Sequence, residues 1–309
     1  MKKIDKAAKI IREGGLVAFP TETVYGLGAD ARNQEACLEI FRAKGRPNNN
    51  PLIVHVASVE EAMMLAEFND DAHKLSKFWP GPLSMVLPRK KNAELADCVN
   101  AGLPTIAIRV PSNQVALNLI KASGRPIAAP SANKSGFLSP TSHQHVKHNF
   151  LDEIFVLESE SKCNFGLEST IIDLSSAVPT ILRYGFVTPE TIESALEKEV
   201  SIASKLSAIK APGMMYRHYS PRTKLRINAT NILQGELGLN FADSNLNSNG
   251  SLNLSSSGDL AEAASNLFDY LHELDEFALA NNIKTIAVAS IPNQSIGLAI
   301  NDRLSRAAE

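Results

Sequence analysis

Short apolar runs bounded by Gly, Pro and Asn predict buried strands over the first two hundred residues. These runs are Leu16–Phe19, the run that begins at Ile53, Leu83–Leu87, Thr105–Val110, Pro126–Ala129, Ile154–Leu157, Ser169–Leu174 and Thr180–Arg183. Capping residues and apolar residues at helical spacing predict helices between them. We expect these helices over Asp5–Glu13, from Asn33 to Lys44, as one or two helices over Val59–Lys77, over Asn113–Lys121, and from Thr188 onward. Strands that alternate with helices indicate an α/β domain.

The last third of the chain predicts a second, smaller α/β domain. Leu225–Ile227 and Ile283–Ala289 have the pattern of strands. Asp259 is placed to cap a long amphipathic helix, and Ile296–Ala308 has the pattern of a closing helix. The Ser-, Asn- and Gly-rich stretch Asn240–Gly258 is expected to be a loop. The sequence thus predicts one β-α-β-α unit here, after a linker near residue 211.

Composition argues against a nucleic-acid-binding protein and against a secreted protein. The formal net charge of the 309 residues is −2, so no overall basic field is available to hold a nucleic acid. The cysteines Cys37, Cys98 and Cys163 are odd in number and scattered, which predicts reduced thiols and neither a disulfide framework nor a zinc site. No signal peptide and no run of about 20 apolar residues is present, so the expected location is cytoplasmic.

The candidate chemistry lies in polar loops, of which the loop after Lys44 is the most informative. Lys44 and Arg46 stand two residues apart in a loop too rich in Gly, Pro and Asn to be regular structure, and they can converge on one anion. Further loops carry hydroxyls, amides and cations, with Arg109 and Arg183 near strand ends. This set suits a small molecule with a phosphate or a carboxylate. Taken alone, each cation could equally be a solvated surface charge, and His55 could be a core histidine.

Common nucleotide and metal motifs are missing. The sequence has no G-x-x-x-x-G-K-[ST] loop, and Gly26-Leu27-Gly28 lacks the third glycine of a dinucleotide fingerprint. There is no G-x-S-x-G elbow and no zinc-ligand spacing. His143, His145 and His148 would point to different sides of a helix, so a solvated face is the simpler interpretation.

Eight motifs in order along the chain carry a family resemblance. They are PTETVYGLG at Pro20–Gly28, KxRP at Lys44–Pro47, PLIVHV at Pro51–Val56, PGP at Pro80–Pro82, APSAN at Ala129–Asn133, ESTIID at Glu168–Asp173, PGMxYRHYxP at Pro212–Pro221 and NDRLxRAA at Asn301–Ala308. With them the chain resembles the YrdC-like threonylcarbamoyl-AMP synthases in their longer, two-domain form, over nearly its whole length.

The resemblance implies a fold and a reaction. The implied fold is an α/β protein: a YrdC-like twisted mixed sheet with a concave, cationic cavity, plus a smaller Rossmann-like α/β domain at the C-terminus. The implied boundaries are 1–205 for the catalytic domain, 206–222 for a linker or lid, and 223–309 for the C-terminal domain. The implied reaction makes threonylcarbamoyl-AMP and pyrophosphate from ATP, L-threonine and bicarbonate, with magnesium accompanying ATP. A downstream tRNA threonylcarbamoyl transferase complex would receive the product and modify tRNAs that read ANN codons.

The resemblance also implies roles for individual residues. The residues expected around threonine are Thr23, His55, Arg109, Ala129 and Ser169. Those expected to contact ATP are Arg46, Asn50, Thr105, Ser131, Asn133, Ser139, Arg183 and, as a lid from the linker, Tyr216. Lys44 and Arg46 are expected to carry catalysis near the phosphates, and no residue is assigned to a metal.

Three other functions are compatible with parts of the sequence. An RNA-binding module could use a cationic concavity, although the chain lacks basic runs and aromatic stacking platforms. A carbamoyl-adenylate transferase of hydrogenase maturation has a similar central domain, but its acylphosphatase and zinc-finger segments have no counterpart here. A structural subunit of a tRNA-modifying assembly would not need so many converging polar loops. We therefore expect no stable nucleic-acid binding and no membrane association.

Overall fold

A ten-stranded mixed sheet forms the first part of the computed structural model, which describes residues 2–151, 153–159, 162–204, 211 and 218–308. Its strands are β1 (Val17–Phe19), β2 (Gly26–Asp30), β3 (Ile53–His55), β4 (Leu83–Pro88), β5 (Thr105–Arg109), β6 (Ile127–Ala128), β7 (Phe155–Val156), β8 (Thr170–Asp173), β9 (Thr180–Arg183) and β10 (Ser201–Ile202). The strand order is β10-β9-β8-β4-β5-β3-β6-β2-β1-β7. Parallel pairs such as β3–β5 alternate with antiparallel pairs such as β4–β5, which confirms the expected mixed sheet.

The helices around this sheet begin at the predicted caps Asn33, Asn113 and Thr188, whereas the first helix begins at Lys2, before the predicted Asp5. They are α1 (Lys2–Arg12), α2 (Gln34–Lys44), α3 (Val59–Leu65), α4 (Asp70–Leu75), α5 (Gln114–Ser123), α6 (His143–Phe150) and α7 (Pro189–Leu196), with a 3₁₀ turn at Ser76–Phe78. The Asn33 side chain accepts a hydrogen bond from the Ala36 amide at the start of α2. Gly45 ends α2 with φ of 61°, a left-handed conformation that glycine adopts without strain. This cap turns the chain so that Lys44 and Arg46 both point inward and are buried.

One predicted loop is in part a strand. The sequence predicts a loop over Pro20–Gly28, but β2 begins at Gly26 and pairs with β1 in antiparallel register. The glycines that indicate a loop instead allow close packing, because a Cβ on Gly28 would lie 2.7 Å from the Phe19 ring. The polar part of the segment is therefore shorter. Its residues Thr21 to Tyr25 lie in the connection between β1 and β2.

The second sheet is parallel and larger than predicted. Its strands are β11 (Lys224–Ala229), β12 (Glu236–Asn240), β13 (Leu252–Asn253) and β14 (Thr285–Ala289), in the order β11-β14-β12-β13. The long helix α8 (Leu260–Ala280), capped by Asp259, precedes β14, and α9 (Gly297–Ala308) follows it. The predicted β-α-β-α unit is wrong, because β12 and β13 lie within or beside the stretch expected to be a loop.

Local side-chain bonding explains why those strands were missed. The Asn240 carboxamide oxygen accepts from the Leu246 amide at 2.7 Å and from the Ser244 hydroxyl at 3.0 Å. The polar residues thus satisfy one another in tight turns, while Leu246 and Leu254 are buried. The two-residue strand β13 is too short to show an alternating pattern, and β12 ends at Asn240, where these turns begin.

Three loop residues of the first part pack into the hydrophobic core around the second sheet. Val24, Leu138 and Leu167 of the first part are buried in the same cluster as Leu237, Leu267 and the other apolar residues around the second sheet. The proposed boundaries at 205 and 222 stay a prediction, since most of residues 206–222 lies outside the described part of the chain. Among the described residues, no helix is long and apolar enough to cross a membrane.

Candidate active site

Several strand ends of the first sheet meet at one cavity. His55 at the end of β3 and Arg109 at the end of β5 are partners in the parallel register of these strands. Arg183 ends β9, and Ser169 immediately precedes β8. The predicted site residues on the cavity wall are Thr23, Arg46, His55, Arg109, Ala129, Ser131, Ser169 and Arg183. The sheet therefore brings together eight residues that span 160 positions of sequence.

Arg109 is held by an acidic residue that the sequence analysis did not select. Its Nη2 donates to Glu22 Oε1 at 2.5 Å, and its Nη1 donates to the Thr23 hydroxyl at 3.0 Å. Burial would raise the pKa of Glu22, but the adjacent Arg109 guanidinium holds that pKa below its ordinary value. The Glu22 carboxylate thus already binds Arg109, the residue expected to bind the threonine carboxylate.

His55 presents a neutral imidazole to the cavity. Burial and the neighbouring Arg109 lower its pKa to about 3. Its Nδ1 atom is buried and has no hydrogen-bond partner among the described residues. A buried polar atom without a partner is costly, so a ligand that hydrogen-bonds to this nitrogen would gain affinity.

Arg46 and Arg183 form the cationic wall. Arg46 donates from Nε to the Asn50 carbonyl at 3.1 Å and from Nη2 to the Pro51 carbonyl at 2.9 Å. Arg183 donates from Nε to the Ser169 carbonyl at 3.0 Å and from Nη2 to the Ser169 hydroxyl at 3.2 Å. Burial and the nearby Arg183 lower the pKa of Arg46 to about 9. Two buried guanidiniums that repel each other in this way favour an anion between them.

Lys44 supports the cavity from behind its wall. Its ammonium donates to the Ser131 carbonyl at 2.6 Å and to the Asn133 carbonyl. Burial and the charges of Arg46 and Lys134 place its pKa well below the ordinary lysine value. In this structure Lys44 therefore fixes the loop that carries Ser131, and it does not line the cavity itself.

Residues of the predicted linker narrow the cavity. His218 and Tyr219 form part of its wall, and the enclosed volume is about 40 Å³. That is room for a few water molecules, whereas ligand pockets usually measure about 300–1,000 Å³. His218 and Tyr219 thus take up part of the space between the cationic residues.

Comparison with known proteins agrees with this geometry. Residues 9–185 match the family model described as "Telomere recombination", and residues 187–309 match the model described as "Threonylcarbamoyl-AMP synthase, C-terminal domain". The threonylcarbamoyl-AMP synthase of Pyrococcus abyssi is 41% identical over 99% of this chain and 94% of its own length. The chain belongs to the threonylcarbamoyl-AMP synthase family.

Two further relatives of this family match the whole chain. The threonylcarbamoyl-AMP synthase of Bacillus subtilis is 37% identical over 99% of this chain and 93% of its own length. The crystal structure of P. abyssi Sua5 complexed with L-threonine superposes with a TM-score of 0.88 at 38% identity, covering 99% of this chain and 94% of that one. These matches confirm the expected family and fold, and they favour a synthase over an RNA-binding module.

Not every residue expected from the family resemblance reaches the cavity. Asn50, Thr105, Asn133 and Ser139 do not line it. Thr105 begins β5 while Arg109 ends it, and four residues of strand separate them by about 13 Å. The Ser139 hydroxyl donates to Glu168, and the Asn133 amide donates to the Lys134 and Phe137 carbonyls. Tyr216 lies outside the described residues. The roles assigned to all these residues stay predictions.

Sequence reasoning also missed residues that the structure places at the cavity. Glu22 and Glu168 are both buried and line or adjoin it, each in an ion pair with an arginine. The only signal for them was their position inside the PTETVYGLG and ESTIID motifs, next to a chosen hydroxyl residue. Their partners come from distant parts of the chain, which local sequence does not reveal.

The described residues offer no ready magnesium cage. They contain no group of three or more His, Cys, Asp or Glu side chains that could hold a metal ion. Glu22 and Glu168, the acidic residues nearest the cavity, are already occupied by Arg109 and Arg303.

Buried neutral histidines make the stability of this protein sensitive to acid. The pKa of His55 lies below its ordinary value, as do the pKa values of His145, His218 and His272. Below about pH 6.5 the unfolded chain therefore binds more protons than the folded one, and the free energy of unfolding falls as the pH falls. Urea unfolding at pH 7.5, 6.5 and 5.5 should show this decrease, with a smaller slope for His55→Asn. Equal slopes in that interval would contradict a neutral His55.

Proposed function

We propose that this chain is an L-threonylcarbamoyladenylate synthase that uses ATP, L-threonine and bicarbonate. The observation that carries the proposal is one cavity with two kinds of anion site. Arg109 lies on one side with Thr23 and the neutral His55, while Arg46 and Arg183 form a second cationic group. An amino-acid carboxylate and a polyphosphate would satisfy these two groups together.

The proposed chemistry needs no covalent enzyme intermediate. The threonine amine attacks bicarbonate and gives an N-carboxylate with loss of water. One oxygen of this carboxylate attacks the α-phosphorus of ATP, the bond from the α-phosphorus to the bridging oxygen breaks, and pyrophosphate leaves with that oxygen. Magnesium bound to ATP would neutralise phosphate charge. The protein's task is to hold the reactants in line and to stabilise negative charge as it moves to the leaving group.

Each wall residue has a place in this scheme. Arg109 binds the threonine carboxylate in competition with Glu22, and His55 and Thr23 hydrogen-bond to the amino acid. Ser169 and the Ala129 backbone close this side. Arg46 and Arg183 bind the phosphates, while Lys44 fixes the loop that presents Ser131 and Asn133 to the nucleotide. For Asn50, Thr105, Ser139 and Tyr216, a role at the nucleotide stays a prediction from the family resemblance.

The product of the proposed reaction is the substrate of another enzyme. Threonylcarbamoyl-AMP is a mixed anhydride, so a transferase must pass its acyl group to an acceptor. We assign that step to a tRNA threonylcarbamoyl transferase complex that modifies tRNAs reading ANN codons, in the cytoplasm. This chain would supply the activated intermediate and would not bind tRNA stably itself.

Pyrophosphate release tests the proposal directly. Purified protein with ATP and magnesium should release pyrophosphate only when both threonine and bicarbonate are present. The release should stop when either is left out, because neither can attack ATP alone in this scheme. Serine in place of threonine serves as the specificity control.

Two outcomes would overturn the proposal. ATP turnover that does not require threonine would point to a different acceptor. No turnover, combined with a salt-sensitive RNA gel shift in the absence of ATP, would bring the RNA-binding module forward.

A further inference from the structure

The loop that carries Glu168 and Ser169 is built into the C-terminal part of the protein. Leu167 is fully buried in the core around the second sheet. Gly166, with φ of 66°, lies against helix α8 so closely that a Cβ there would be 2.4 Å from the Ser265 carbonyl oxygen. The second sheet and its helices therefore fix the backbone of a loop that forms part of the cavity.

Arg303 of helix α9 adds polar contacts between this loop and the C-terminal part. Only 1% of its surface is exposed, and its Nε donates to Glu168 Oε2 at 3.1 Å. Its Nη1 donates to Asp302 at 3.0 Å, and its guanidinium lies 5.3 Å from the centre of the Tyr219 ring. One arginine of the C-terminal part thus contacts both an acidic residue and an aromatic residue of the cavity wall.

Glu168 connects Arg303 to a residue expected to bind the nucleotide. Its Oε1 accepts a hydrogen bond from the Ser139 hydroxyl. Burial would raise its pKa, but the charges of Arg303 and Arg183 and the Ser139 hydrogen bond hold the pKa below the ordinary value. Glu168 is therefore a buried anion that contacts Arg303 directly and lines the same cavity as Arg183.

We propose that Arg303 is a positioning residue for adenylate formation, acting on the nucleotide site through Glu168. By binding one oxygen of Glu168, Arg303 leaves the other to orient Ser139 and keeps Glu168 from pairing fully with Arg183. Glu168 then does not compete with phosphate for Arg183. This assigns the C-terminal part a direct role in the cavity, and it rests on the synthase function proposed above.

The charge balance gives the inference a specific signature. Without Arg303, Glu168 is a buried carboxylate whose remaining cationic neighbour is Arg183, and the two should pair in competition with ATP. Removing the carboxylate charge as well should release Arg183 again. A purely structural role for Arg303 predicts no such recovery.

The experiment compares Arg303→Met, Glu168→Gln and the double variant in the pyrophosphate assay. For Arg303→Met we expect kcat/KM for ATP to fall roughly ten- to a hundredfold, with a smaller change in KM for threonine, because about one charge-assisted hydrogen bond is lost. Addition of Glu168→Gln should recover at least about fivefold of that loss, since glutamine still accepts from Ser139 without attracting Arg183. Arg226→Met, which removes an Arg–Glu pair within the second sheet, is the matched control and should change kcat/KM less than about twofold.

The outcomes separate this inference from the synthase proposal. A double variant no more active than folded Arg303→Met, or an equal loss for ATP and threonine, overturns the positioning role. If Arg303→Met does not fold, Arg303→Lys and the double variant, which leaves no uncompensated carboxylate, carry the same comparison. If the wild type releases no pyrophosphate, the synthase proposal fails, and calorimetric binding of a non-hydrolysable ATP analogue to the same variants tests the inference.

Discussion

Replacement of Arg109 by methionine is expected to reduce threonine-dependent pyrophosphate release by about a hundred- to ten-thousandfold. Its guanidinium donates to Glu22, Thr23 and the Gly81 carbonyl, all within a buried site. Loss of two charge-assisted hydrogen bonds to a substrate carboxylate is worth on the order of 3–6 kcal/mol. The loss should appear as a raised KM for threonine, measured at saturating ATP and bicarbonate.

The same replacement should also destabilise the fold, because it leaves Glu22 buried without its cation. Removal of one partner of a buried ion pair costs about 3–5 kcal/mol, and this should appear as a lower urea midpoint. Adding Glu22→Gln should restore stability but not activity. Arg42→Met, which removes an exposed arginine paired with Glu39, is the control. It should change neither the urea midpoint nor the activity by much. Recovery of activity in the double variant would show that Arg109 serves only to balance Glu22.

Replacement of Lys44 by methionine is expected to lower both stability and activity. The ammonium is buried and binds the Ser131 and Asn133 carbonyls, which would lose their donor. Leaving these buried acceptors unsatisfied should cost about 2–4 kcal/mol in the free energy of unfolding. The loop would then present Ser131 poorly to ATP, so kcat/KM for ATP should fall about ten- to a hundredfold.

Lys134 offers a matched control for Lys44. It also donates to a backbone carbonyl, that of Ala43 at 2.7 Å, but it is only half-buried. Lys134→Met should therefore cost little stability and little activity. If Lys44→Met lost activity while its urea midpoint stayed that of the wild type, the ammonium would act on the phosphates directly, as the sequence resemblance first suggested.

The sequence predicted the site better where a motif contains the functional residue than where function depends on a distant partner. Arg46, His55 and Ser169 were chosen from motifs, and the structure does bring them to one cavity. The partnership of Arg303 with Glu168 joins residues 135 positions apart, so neither motif alone indicates it.

Strand predictions followed the same logic. Long apolar runs such as the one over β4 were recognised, because burial on both faces leaves a continuous signal. β2 was taken for a loop because its two glycines are there for close packing and not for a turn. β13 has two residues, and its polar neighbours are satisfied by their own side chains, so no periodicity marks it.

The apolar contact between the two parts of the protein determines how it unfolds. Val24, Leu138 and Leu167 are covered by apolar residues of the C-terminal part, and Gly166 is pressed against its backbone. Separation of the parts would expose these side chains to water together with the acidic Glu168. We therefore expect the two parts to unfold together in one thermal transition, because their separation would expose apolar surface on both.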